Sequence, residues 1–169
     1  MRQDRPSGTS IVVALGILTL SRRRQGHALV AKETGPIVYK TLRRMGRLPR
    51  LLSMNVPPVL AALIERLIVP GIITHFGIRK RLIRDAVDVA IRDGFSQIVV
   101  IGAGLDTLTL DLARANTDIR LVEIDHPATQ GARRRMLEAA QVDPERMALL
   151  PADLTTAGLG EILARSPEF

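Results

Sequence analysis

Two glycines follow a β-branched run in this chain, where Gln97-Ile98-Val99-Val100-Ile101 leads into Gly102-Ala103-Gly104-Leu105-Asp106-Thr107. Glycine lets the backbone turn sharply and lets a ligand approach it without meeting a Cβ. A loop of this kind at the carboxyl end of a parallel strand is where open α/β sheets bind their ligands. The next strand-like run ends in Glu123-Ile124-Asp125, and Asp125 lies 21 positions beyond Gly104. That is close to the roughly 20-residue offset of a ribose-binding carboxylate, which can accept hydrogen bonds from both vicinal hydroxyls. Glu123 and Asp125 project to the same side of an extended strand, so either acid suits the role. Each feature also has a plain structural alternative: tight strand-to-helix turns use glycine for geometry alone, and acids at strand ends can simply be solvated.

The loop narrows the choice of nucleoside. A dinucleotide fingerprint Gly-x-Gly-x-x-Gly requires a third glycine where this chain has Thr107, which disfavours NAD. S-adenosyl-L-methionine carries no pyrophosphate, so it has less need of a helix amino terminus cleared for phosphate, and an acid such as Asp106 beside the loop is tolerable. Asp106 itself reads first as a helix N-cap. Other chemistries lack their residues. His27, His75 and His126 are widely separated and show no metal-ligand spacing, so no metal site is predicted. No Gly-x-Ser-x-Gly elbow supports a serine hydrolase, and the absence of cysteine rules out a thiol nucleophile, thiolate metal sites and disulfides. A reducing cytoplasm fits that composition. Aromatic residues make up only 2% of the chain, too few to stack single-stranded nucleic acid.

The elements that must position these residues follow from periodicity. Before about residue 90, apolar residues recur at helical spacing in Ile11–Leu20, Pro36–Met45 and Val59–Ile68. A further helix over Arg79–Arg92 places Leu82, Ile83, Ala86, Val87 and Ala90 on one face, with Asp93-Gly94 to end it. The run Gln97–Ile101 reads as a central parallel strand covered on both faces. A helix over Thr107–Asn116, a strand over Ile119–Ile124, a helix from about Ala128 to Ala140, a short strand Met147–Pro151 and a last helix Gly158–Arg165 complete the pattern. Strands alternating with helices predict a doubly wound parallel sheet. At 169 residues, 46% hydrophobic and 24% charged, the chain suits one globular domain.

The formal charge of +7 is carried largely by short runs, Arg22–Arg24, Arg43-Arg44, Arg79–Arg81 and Arg133–Arg135, which read as solvated helix faces rather than as a nucleic-acid stripe. Ile11–Leu20 is far shorter than the roughly 20 residues of a spanning helix. It is followed by Ser21-Arg22-Arg23-Arg24 instead of a small-residue cleavage site, so it reads as a buried or amphipathic helix.

Taken in order, Arg79-Lys80-Arg81-Leu82-Ile83-Arg84-Asp85, then Gln97 to Thr107, then Glu123-Ile124-Asp125-His126-Pro127 closely resemble the leucine carboxyl methyltransferase family from about Pro70 to Leu154. The segment before Pro70 matches only loosely. The resemblance implies a class I methyltransferase using S-adenosyl-L-methionine, in which Arg79 binds the carboxylate of the cofactor's methionine part, Gly102 lines its pocket, Asp125 holds the ribose, and Asp153 and Leu154 flank the adenine; Gly104 and Glu123 join them as cofactor-binding candidates from the loop and the strand parity. Bacterial members act as O-methyltransferases, which implies a small-molecule acceptor, polyketide-like or otherwise, methylated on a carboxylate or hydroxyl. Family members continue through further strands that this sequence lacks, so a truncated chain is expected.

The expected architecture is therefore α/β, a Rossmann-like sheet incomplete after its third strand. Residues 1–92 would form a helical segment packed on it, and 93–169 the first half of the cofactor domain. The expected protein is cytoplasmic, binds no nucleic acid, and makes no stable membrane insertion. A non-catalytic remnant and an NAD-dependent oxidoreductase half-domain are the rival readings. The general base, the identity of the acceptor and the oligomeric state are not encoded in any motif.

Overall fold

The structure, a computed structural model, describes residues 8–22, 24–31, 33–46, 71–115 and 118–167. The helix expected over Val59–Ile68 lies outside them. Strands β1 (Gln97–Ile101), β2 (Arg120–Asp125) and β3 (Met147–Pro151) form a parallel sheet in the order β1-β2-β3. The register sets Ile101 opposite Ile124 and Asp125 opposite Pro151. Pairing runs past the strand ends, with the Gly102 N–H donating to the Ile124 carbonyl at 2.7 Å and the Ala152 N–H to the Asp125 carbonyl at 2.9 Å. All three carboxyl ends are thus held level, and the loops that follow them open onto one rim of the sheet. The fold is Rossmann-like α/β, as the alternating pattern predicts.

Helix α4 (Leu108–Arg114) connects β1 to β2, and α5 (Pro127–Ala140) connects β2 to β3. Sequential strand order with right-handed crossovers puts both helices on the same face. There Leu110, Leu112, Met136 and Leu137 share one core with Leu121 and Met147. Pro127 pre-sets the first turn of α5, and His126 caps it, its Nδ1 accepting from the Ala128 N–H at 3.1 Å. Helix α6 (Leu159–Ala164) follows β3.

β1, expected as a central strand, has β2 alone beside it among the described residues. Among the described residues β2 is the central strand, with Leu121 through Ile124 buried, while β1 stands at the edge and leaves Ile101 50% exposed. An apolar β-branched run shows that a strand is suited to double-sided cover, but not where it lies in the sheet order, and Val99 is 38% exposed.

On the amino-terminal side, α1 (Gly8–Ser21) and α2 (Thr34–Arg44) pack on each other, and α1 packs on α3 (Ile72–Arg92). Helix α1 is apolar all round and buries Ala14, Ile17, Leu18 and Leu20, as befits a helix enclosed on several sides. No helix among the described residues is long and apolar enough to cross a membrane. Helix α3 begins seven residues before the expected Arg79, directly after Gly71, whose φ of 78° supplies the entry turn. Its end is as expected: Gly94 (φ 95°) closes a Schellman turn, with Phe95 N–H on the Ala90 carbonyl and Gly94 N–H on the Ile91 carbonyl. The predicted apolar face of this helix is only partly used, because Leu82 remains 64% exposed while Val87 and Ile91 pack against the core.

Candidate functional site

Above the carboxyl ends of the strands lies a cleft of about 660 Å³, within the range of small-molecule sites. Its floor is the end of β1 with the loop Gly102–Asp106, joined by Ile124, Asp125 and His126. One wall is Ala152–Thr155; the other comes from α1 (Ser10, Val13, Ile17, Leu20) and α3 (Phe76, Arg79, Lys80, Ile83). Six of the seven residues singled out from sequence line this one cleft: Arg79, Gly102, Gly104, Asp125, Asp153 and Leu154.

The loop is a tight, multiply tied turn. Gly102 and Gly104 have φ of 68° and 57°, a left-handed conformation that costs any residue with a Cβ. A Cβ on Gly102 would meet no atom within 4 Å, whereas one on Gly104 would come 3.1 Å from the Ser10 Cβ on α1. Gly104 therefore serves close packing as well as the turn. The Gly104 N–H donates to Asp125 Oδ2, and the other Asp125 oxygen accepts from the His126 N–H at 2.6 Å. The sequence suggests Asp106 as the helix N-cap, but that position falls to Thr107; Asp106 stands one residue before it, its Oδ1 accepting from the Leu108 N–H at 2.7 Å and from Lys80 Nζ at 3.0 Å.

The two acids of β2, equivalent in sequence, part company here. Asp125 is half-buried at the cleft. Glu123 is only 1% exposed and is not among the cleft-lining residues. Its carboxylate is taken up by Arg133 of α5, Nε donating to Oε2 at 2.7 Å and the second terminal nitrogen to Oε1, with Thr109 Oγ1 also on Oε1. The reading of Glu123 as a ribose ligand is corrected on that ground: α4 and α5 close over the sheet at its position and leave only the strand end open. Arg133, read from its basic run as solvated, is 2% exposed.

Asp153 closes the turn after β3, its Oδ1 accepting from the Thr155 N–H at 3.0 Å and from the Thr155 hydroxyl at 2.6 Å. Those two bonds hold its carboxyl below the usual aspartate value. His126 Nε2 stands 3.6 Å from Asp153 Oδ2 across the cleft rim. Behind the loop, Asp111 of α4 accepts from the Thr34 hydroxyl at 3.1 Å. Burial pushes its carboxyl above the ordinary value, against the opposing pull of Lys80 and of the Thr34 bond. No cluster of three or more His, Cys, Asp or Glu suited to a metal occurs among the described residues.

Sequence reasoning missed the α1 wall, Lys80 and Arg133. Helix α1 carries no polar signature of a site. Arg133 was legible in principle, because it falls in the buried stripe Thr129, Ala132, Met136, Leu137, Ala140, where a solvated arginine does not belong.

A family model described as leucine carboxyl methyltransferase matches residues 52–169. The chain is also 35% identical over 63 residues to YktD of Bacillus subtilis (strain 168), a protein that bears the name of an S-adenosyl-L-methionine-dependent methyltransferase. That match takes in 37% of this chain and 21% of the relative, so it spans about a fifth of the relative's length.

Proposed function

The chain belongs to the leucine carboxyl methyltransferase family, and from that premise we propose that its cleft binds S-adenosyl-L-methionine for methyl transfer to an oxygen, a carboxylate or hydroxyl of a small-molecule acceptor. The observation that carries the reading is the convergence of Arg79, Gly102, Gly104, Asp125, Asp153 and Leu154, distant in sequence, on a single cleft. Its volume suits a nucleoside-sized ligand, and the open space beside the Gly102 Cα leaves room for close approach to the backbone. Residues 93–169 are read as the first part of the cofactor domain and 1–92 as a helical segment that walls it.

In this reading Asp125 accepts hydrogen bonds from the ribose hydroxyls, and its existing bonds to the Gly104 and His126 amides keep the carboxylate aimed. Arg79 grips the ligand carboxylate with its planar fork. Asp153 and Leu154 border the adenine, one polar and one apolar. S-adenosyl-L-methionine supplies a methyl already activated by its sulfonium. The chain's own contribution is then positioning and exclusion of water, and the apolar walls from α1 and α3 serve both.

Photocrosslinking with labelled S-adenosylmethionine, followed by peptide mapping, tests the placement. Label is expected in peptides holding 102–107, 125–126 or 153–154. Label confined to other peptides contradicts it.

A further inference from the structure

We propose that Arg133, outside the cleft, is the positioning residue that holds the cofactor loop in its binding shape. Its guanidinium is buried and divided among three elements. Nε and one terminal nitrogen clasp Glu123 of β2, that same nitrogen donates to Thr109 Oγ1 of α4 at 2.7 Å, and the other terminal nitrogen donates to the Asp106 carbonyl in the loop. The inference rests on the proposed cofactor site, but the geometry behind it is independent of any ligand.

Asp106 is the node on which the loop turns. Its carbonyl is held by Arg133 from α5, its carboxylate by Lys80 from α3, and the same carboxylate accepts from the Leu108 N–H at the start of α4. Two residues earlier, the Gly104 amide is held by Asp125. A loop with two left-handed glycines has wide conformational freedom unless neighbours remove it. Here fixed donors and acceptors do so, and Arg133 ties the far end of the loop to the rigid sheet through Glu123. A planar fork with five N–H donors can span carboxylate, hydroxyl and carbonyl together, while a lysine ammonium offers a single point of attachment. If Arg133 served only to neutralise the buried Glu123, lysine would suffice, and so would removal of both charges.

The test is Arg133→Lys, which keeps the charge beside Glu123 but cannot also reach the loop carbonyl. Glu123→Leu/Arg133→Met, which leaves no buried charge unpaired, stands beside it in case the lysine variant folds poorly. Hydrogen exchange of the full chain reads the loop without ligand. The amides of residues 103–108 are expected to exchange about tenfold faster or more in both variants, as loss of a charge-assisted bond implies, with β2 amides unchanged. Titration with S-adenosylhomocysteine then reads the consequence, a matching loss of affinity. Loop exchange at the wild-type rate in either folded variant overturns the proposal. Faster loop exchange in a protein whose wild type binds no S-adenosylhomocysteine upholds the positioning role and refutes the cofactor reading instead.

Discussion

Alanine at Gly104 and at Gly102 separates two reasons for glycine in the same loop. Both residues are left-handed, with φ of 57° and 68°, and an L side chain there costs about 1–2 kcal/mol. For Gly102→Ala that is the whole expected loss, since the new methyl meets no atom within 4 Å. For Gly104→Ala the methyl also arrives 3.1 Å from the Ser10 Cβ, and crowding two packed elements adds about 1–2 kcal/mol, for about 2–4 kcal/mol in all. In a chain of this size each kcal/mol lowers Tm by about 2–4 °C, so thermal or urea unfolding resolves the difference. Ser10→Gly removes the opposing Cβ and should recover the crowding part, giving a coupling of about 1 kcal/mol or more with Gly104→Ala in a double-mutant cycle and none with Gly102→Ala. Equal losses at the two glycines, or strict additivity with Ser10→Gly, refute the argument that α1 and the loop are in direct contact. Gly102→Ala should nevertheless weaken S-adenosylhomocysteine binding, since its methyl occupies space beside the cleft.

Other outcomes follow from single contacts. Lys80→Met removes the ammonium held 3.0 Å from Asp106 with only 11% of its side chain exposed, and is expected to cost about 1–3 kcal/mol by denaturant unfolding and to speed exchange of the Leu108 amide. Asp111 carries a carboxyl raised by burial. Its folded form therefore binds a proton more tightly than the unfolded chain. The penalty is complete above the folded pKa, shrinks as pH falls through it, and is gone below the ordinary aspartate value. Asp111→Asn, which keeps an acceptor for Thr34, should raise Tm at pH 7, and the gain should shrink toward pH 4. A gain that is independent of pH contradicts the assignment. Asp153 titrates in the opposite sense: the Thr155 bonds lower its carboxyl, so the turn they close is expected to loosen, in exchange of the Thr155 amide, only as pH falls through that lowered value.

Much of this site was legible because its parts obey local rules. A β-branched run, two glycines and an acid 21 positions on describe a strand end, a turn and the next strand end, and parallel pairing brings them together without help from the rest of the chain. Gly94 as a stop is equally local. What could not be read depended on tertiary neighbours. Glu123 and Asp125 have the same parity on β2, and only the closure of α4 and α5 over one of them decides which faces the cleft. That β1 has β2 alone beside it among the described residues is a matter of sheet order, on which strand composition is silent. The start of α3 at Ile72 was hidden because His75, Gly77 and the exposed Ile78 blur its periodicity. The α1 wall came from a helix whose apolar surface announces burial but not what it encloses.

Titration calorimetry of the chain with S-adenosylhomocysteine, with NAD as control and Asp125→Ala in parallel, tests the cofactor site itself. Selective binding is expected, weakened about 30-fold or more in the variant by the loss of charge-assisted bonds to the ribose. A chain that unfolds cooperatively yet binds S-adenosylhomocysteine no better than NAD, or binds it equally well without the Asp125 carboxylate, contradicts the claim.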